Sequence, residues 1–432
     1  MNHYCEFVDD GIKYQPHVFQ LPLDYDDCSM GSIEVFARSL TSTSENANDK
    51  PWLVYFQGGP GFPSPRQNGH QGWVKRALKD YRVLLLDQRG TGNSSAITHQ
   101  TIAHLSPQAQ AEYLSHFRAD NIVRDAEQIR QQFAVEKWAI LGQSFGGFCS
   151  LTYLSLFPDS LLRSYITGGV PPVTGHPDVV YQATFKRVVE KNHAFFKQFP
   201  KAQSLCQSVA NHLLETEEYL PNGQRLTVEQ FQQLGINFGI SNSFLPTYYA
   251  LENAFIDVNG THRLRYEFLN HIMMEQSFHT HPIYAILHES IYCQGQASDW
   301  SAQRIRETLP QFQYQPNQTF YFTGEMVFPW MFTQYTNLVP LKQAAELLAQ
   351  KQDWGALYDI ERLQANKVPV SCAVYADDMF VDMDLSRQTL ANIPNSAAWI
   401  TNEYEHNGLR VEGEHILDKL ISMGNQLAAT IE

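Results

Sequence analysis

Short apolar runs and amphipathic stretches alternate along roughly the first 170 residues of the chain. Ile33 to Ala37 and Trp52 to Phe56 read as strands, and Val83 to Asp87 is a short buried run ending in an acid. Ala119 to Phe133 places Ile122, Ala126, Ile129 and Phe133 at helical spacing and predicts an amphipathic helix. The apolar run Trp138-Ala139-Ile140-Leu141 predicts a further strand. It is followed by a glycine-rich turn, a helical stretch from Gly147 to Phe157, and another strand at Ser164 to Thr167. Such alternation implies an α/β fold around a mainly parallel sheet.

After Gly168-Gly169-Val170-Pro171-Pro172 the pattern changes. From about residue 175 to 360 helical patterns, aromatic residues and histidines dominate, and strand-like runs are few. Strand patterning returns at Val368 to Tyr375 and Ala397 to Thr401, before a closing amphipathic helix from about Glu412 to Leu427. The simplest organisation is one α/β core, residues 1–170 and 361–432, split by a largely helical insertion at 171–360. No internal repeat or low-complexity segment interrupts it.

Composition narrows the function classes. With 432 residues, 43% hydrophobic and 12% aromatic, the chain can bury a large core and is not a disordered protein. A formal net charge of −14 argues against a nucleic-acid partner, serves solubility, and would also suit a cationic substrate. The opening MNHYCEFVDDG lacks the basic and apolar regions of a signal peptide. No apolar run of about 18 residues predicts a membrane span or a membrane partner. The six cysteines are scattered without C-x-x-C spacing, so free thiols in a reducing cytoplasm are expected, with neither a disulfide framework nor a zinc site.

The chemistry centres on Gly142-Gln143-Ser144-Phe145-Gly146. Gly-x-Ser-x-Gly between a strand and a helix describes a nucleophile elbow, in which a sharp turn exposes the serine hydroxyl at the top of a sheet. A serine hydroxyl is a weak nucleophile and needs a histidine base oriented by a carboxylate. The chain order expected on such a scaffold is serine, acid, histidine. Asp377-Asp378 follows the strand ending at Tyr375, and His406 follows the next strand and precedes the last helix. Only one of two neighbouring acids can point at the histidine, and Asp378 is preferred. His415 is set aside because it falls inside the final helix.

The oxyanion of an acyl transfer needs N–H donors, one of them from the residue after the nucleophile, here Phe145. The second is expected from the loop after an early core strand, Gln57-Gly58-Gly59-Pro60-Gly61, with Gly59 as the donor. Asp87-Gln88-Arg89-Gly90-Thr91-Gly92 does not complete a G-x-G-x-x-G. It reads as a structural loop in which Asp87 and Arg89 anchor the oxyanion loop.

Gly58-Gly59-Pro60-Gly61, Asp87-Gln88-Arg89-Gly90-x-Gly-x-Ser94 and Gly142-Gln143-Ser144-Phe145-Gly146-Gly147 together resemble the prolyl aminopeptidase (proline iminopeptidase) family of α/β-hydrolases. The whole chain is similar to that family's longer bacterial form. The resemblance implies an α/β-hydrolase fold that removes an unblocked N-terminal proline from short peptides, without metal or cofactor. It also implies that the insertion is a helical cap whose glutamates bind the free amine. Glu252 in Tyr248-Tyr249-Ala250-Leu251-Glu252 and Glu289 in Leu287-His288-Glu289-Ser290-Ile291-Tyr292 are similar to those positions, and Glu325 in Gly324-Glu325-Met326 is a third candidate. Shorter relatives read Gly-Arg-Tyr-Asp at the acid, where this chain has Tyr375-Ala376-Asp377-Asp378. A hydrophobic pocket separates near-isosteres by only about 1–3 kcal/mol, so the sequence leaves open whether hydroxyproline or small apolar residues are accepted alongside proline. The rival readings are a carboxylesterase with the same triad and, from another class, an inactive hydrolase fold used for binding. No sequence feature fixes an oligomeric state.

Overall fold

The computed structural model describes residues 4–430. Nine strands form its main sheet: β1 (Phe7–Asp9), β2 (Ile12–Pro22), β3 (Ser32–Ser42), β4 (Trp52–Phe56), β5 (Arg82–Asp87), β6 (Trp138–Gln143), β7 (Leu161–Thr167), β8 (Val370–Tyr375) and β9 (Ser396–Thr401). Their spatial order is β1-β2-β3-β5-β4-β6-β7-β8-β9. From β5 to β9 every neighbouring pair is parallel, while β1, β2 and β3 add an antiparallel edge.

The central strands are largely apolar because helices cover both sheet faces. Every residue of β4 and β8 is buried. Side chains alternate between the faces along a strand. Leu53 and Tyr55 therefore belong to the core beneath helices Gly72–Asp80 and Gly413–Ala429. Trp52, Val54 and Phe56 join the larger core on the opposite face, which runs without a break into the insertion.

Strand β2 has no counterpart in the sequence reading, because Gln15, Pro16, His17 and Gln20 break its apolar pattern. Strand β1 pairs only with Ile12 to Tyr14, so β2 is an edge strand beyond that point. Proline, which has no N–H to donate, is tolerated at such an edge. Strand β3 likewise continues past Ala37 to Ser42, held by antiparallel pairing to β2.

Residues 168–369, between β7 and β8, contribute no strand to the main sheet. They hold the long Pro177–Gln198 helix, many shorter helices and two small hairpins, Glu218–Tyr219 with Arg225–Leu226 and Phe255–Val258 with Thr261–Leu264. An aromatic cluster knits this region together, with the Phe195 and Phe238 rings 4.8 Å apart and Phe238 and Phe322 5.1 Å apart. Among the described residues no helix is long and apolar enough to cross a membrane.

Candidate active site

Ser144 sits between the end of β6 and the helix Phe145–Leu156, with φ +54° and ψ −126°. That strained conformation turns the side chain out of the strand-to-helix path. It requires a strand and helix so close that a Cβ on Gly146 would lie 2.0 Å from the Phe56 carbonyl oxygen, and one on Gly142 2.2 Å from that of Gly146. The motif glycines are therefore a packing necessity.

His406 comes from the loop after β9 and Asp378 from the loop after β8. Their side chains meet with Nδ1 and Oδ2 2.7 Å apart, in surroundings where Asp378 is 1% and His406 7% exposed. Asp378 Oδ1 accepts from the Phe380 and Val381 N–H groups at 2.8 and 3.1 Å, which fixes the carboxylate plane. The neighbouring Asp377 is exposed, and His415 lies on the final helix with its ring 5.8 Å from Trp399. His406 Nε2 is 3.5 Å from Gln143 Nε2, so the free edge of the imidazole faces the elbow. Among the described residues no hydrogen bond joins Ser144 to His406. Such contacts tighten when substrate arrives. Burial lowers the His406 pKa, but the charge and hydrogen bond of Asp378, with a contribution from Glu325, outweigh it and leave the pKa raised.

The loop Gly58 to Gly61 lies against the nucleophile, since a Cβ on Gly58 would be 2.9 Å from Ser144 Cβ. Gly59 has φ +125°, in the region that favours glycine. Phe145 opens its helix, where first-turn N–H groups have no intrahelical partner. Asp87 fastens the stretch beyond the loop by accepting from Ser64 N (3.1 Å), Arg66 (2.8 and 2.5 Å) and Asn93 N (2.9 Å). Gln88 Nε2 holds the Gln57 carbonyl at 3.0 Å. Arg89 corrects the sequence expectation. Its guanidinium turns away to Asp125 (2.8 and 2.6 Å) and to the Leu23, His116 and Pro22 carbonyls, so it anchors the antiparallel edge and not the oxyanion loop.

The three glutamates have different surroundings. Glu325 is partly exposed and accepts a hydrogen bond from the Tyr284 hydroxyl. Burial raises its pKa to about 7, opposed by His406 and Tyr284 and reinforced by Asp378, so Glu325 lies within electrostatic reach of the His406–Asp378 pair. Glu289 is 6% exposed, and its oxygens accept from Ser301 N (3.1 Å) and Ala302 N (2.9 Å) at the start of the helix Ser301–Glu307. Burial pushes it too to about 7. Tyr181 feels both carboxylates, and its buried hydroxyl has no protein partner. Glu252 is exposed at the end of the helix Phe244–Glu252, with Tyr248 OH 3.4 Å away, and no hydrogen bond or ion pair among the described residues ties it to Ser144, Asp378 or His406.

Two features of the site carry no sequence signal. Tyr284 holds Glu325. Lys191, from the long insertion helix, grips Glu405 at 2.5 and 2.6 Å, while the Gly239 carbonyl accepts from His406 N at 3.1 Å and Asn407 Oδ1 from Ser241 N at 3.0 Å. The insertion thus clasps the loop that carries His406. A cavity of about 600 Å³ elsewhere in the insertion, lined by Leu213, Arg225, Gln232, Arg306 and Tyr314, includes none of Ser144, Asp378 and His406, so volume alone does not locate the chemistry.

The alpha/beta hydrolase fold family matches residues 51–409. A proline iminopeptidase of Aeromonas sobria is 55% identical over 427 residues, covering 98% of this chain and 99% of that protein. Proline iminopeptidase aneH of Aspergillus aculeatus is 35% identical over 416 residues, covering 94% and 92%.

Proposed function

The chain belongs to the prolyl aminopeptidase (proline iminopeptidase) family of α/β-hydrolases, and we propose that Ser144, Asp378 and His406 carry out its release of an unblocked N-terminal proline from peptides. The observation that carries this reading is the 2.7 Å His406–Asp378 contact beside the strained serine elbow, with the Glu325 carboxylate within electrostatic reach of it. His406 takes the Ser144 proton as the oxygen attacks the prolyl carbonyl. The Gly59 and Phe145 N–H groups hold the oxyanion. His406 then protonates the departing amine as the C–N bond breaks, and water attacks the prolyl-enzyme by the reverse relay. Asp378 keeps the proton on Nδ1 and stabilises the imidazolium.

In this reading residues 171–360 are the cap over a core of 1–170 and 361–432, and the cap supplies the amine recognition. A cation taken out of water needs an anionic partner. Glu325 has both the access and the proximity to the triad to be that partner. Glu289 is already engaged by two backbone N–H groups, though its charge, like that of Glu325, acts on Tyr181, and exposed Glu252 is the weakest of the three candidates. No metal or cofactor enters the scheme. Six free cysteines, four of them buried, suit a reducing cytoplasm. The substrates are short peptides, and the acidic surface favours neither nucleic acid nor membrane. Ser144→Ala is expected to lower hydrolysis of a prolyl arylamide by at least about 10⁴-fold. Turnover at the wild-type rate would overturn the assignment.

A further inference from the structure

In an N-terminal residue the amine nitrogen and the scissile carbonyl carbon are joined through a single Cα, about 2.5 Å apart. The group that binds the amine and the loop that binds the oxyanion must therefore be held in one fixed relation. Tyr284 touches both. Its hydroxyl donates to Glu325 Oε1. Its backbone nitrogen abuts the oxyanion loop, since a Cβ on Gly61 would lie 2.8 Å from it. Its ring is locked by Phe278 stacked at 4.3 Å, by Phe62 of the same loop edge-on at 4.9 Å, and by His288 at 5.4 Å.

We infer that Tyr284 is a positioning residue that sets the register between the Glu325 carboxylate and the Gly58 to Gly61 loop, and so determines that a one-residue, free-amine acyl group is cleaved. The inference rests on the reading of Glu325 as the amine anchor. Burial and the adjacent carboxylate hold the Tyr284 pKa well above the usual phenol value, so the hydroxyl remains a donor. The titratable groups whose charges act on Glu325, or on which its charge acts, are Tyr284, His406 and Asp378, together with Tyr181 and Tyr292 from the insertion, and the buried His288 ring packs on Tyr284. Of these, Tyr284 is the side chain that donates directly to the carboxylate.

Tyr284→Phe keeps the ring and its contacts and removes only that donor. The test compares kcat/KM across pH for a prolyl arylamide and for p-nitrophenyl acetate, an ester without an amine. Rates are normalised to active sites titrated with a fluorophosphonate, so that misfolded protein is not counted. The expected loss is about 10- to 100-fold on the prolyl substrate, the range for a hydrogen bond to a charged group, and at most about threefold on the ester. The acid limb of the prolyl profile should also move to higher pH, because a carboxylate that loses its donor protonates more readily. Glu325→Gln is run in parallel. If Glu325→Gln lowers the prolyl rate selectively while Tyr284→Phe affects both substrates equally or neither, the inference about Tyr284 is overturned and the anchor reading stands. If Glu325→Gln lacks that selectivity, the anchor reading fails and the inference falls with it.

Discussion

Replacing Asp378 by Asn alters one atom of the site and has a consequence that follows from three distances. Oδ1 is held by the Phe380 and Val381 N–H groups at 2.8 and 3.1 Å, and Oδ2 faces His406 Nδ1 at 2.7 Å. In the variant the amide oxygen stays on the two N–H donors, so the amide NH₂ points at Nδ1. Nδ1 must then be the acceptor, the imidazole proton moves to Nε2, and the base can no longer accept from Ser144. Loss of the correct tautomer in a serine triad costs about 10⁴-fold in kcat. Flipping the amide would restore the tautomer but forfeit two backbone hydrogen bonds, about 2–3 kcal/mol, leaving roughly one molecule in a hundred competent. The expected fall in kcat therefore lies between about 10² and 10⁴, with KM little changed. The raised His406 pKa should also drop, because the charge that holds it up is gone, so the acid limb of kcat/KM moves to lower pH. Steady-state kinetics on a prolyl arylamide across pH measures both effects, with exposed Asp377→Asn as the control expected within about twofold of wild type. A kcat for Asp378→Asn within about tenfold of wild type, with an unmoved acid limb, would refute the reasoning.

Two further outcomes follow from packing and charge. Gly146→Ala forces a Cβ to within 2.0 Å of the Phe56 carbonyl, on backbone that cannot yield, and should destabilise the fold by at least about 2 kcal/mol in urea denaturation; an unchanged midpoint would contradict the packing argument. Lys191→Met leaves Glu405 partly buried without its cation and should cost about 1–2 kcal/mol. The Glu405 pKa, raised by burial against the pull of Lys191, rises further in the variant. A carboxyl whose folded pKa exceeds its unfolded one weakens the fold once the unfolded state ionises. The loss relative to wild type should therefore grow as pH rises above the ordinary carboxylate range in paired denaturation curves, and a pH-independent loss would exclude this cause.

How much of this was legible in the sequence differs from element to element. Strand β4 could be read residue for residue because two covering layers demand an unbroken apolar run from Trp52 to Phe56. Strand β2 could not, since an edge position tolerates Pro16 and His17 where an interior one would not. Asp378 and His406 could be named because each follows a strand of recognisable pattern, and the loops after parallel strands gather at one end of the sheet. Side-chain direction past a strand end has no such signature, and Arg89 accordingly turns to Asp125 where a role at the oxyanion loop was expected. The local motifs around the three glutamates do not separate them. Their distinct surroundings arise from contacts between distant segments, Glu325 with Tyr284 and His406, and Glu289 with Ser301 and Ala302, which no spacing in the chain encodes.

We propose that a carboxylate requiring a free, cationic N-terminus is what makes this serine acyl-transfer site an aminopeptidase. The most direct measurement is kcat/KM for a prolyl arylamide against its N-acetylated counterpart on the wild-type enzyme. Leaving a buried charge without its partner costs about 2–5 kcal/mol, so the free substrate should be preferred by at least about 30-fold and up to several thousandfold. Equal rates on the two substrates, within about threefold, would contradict the account.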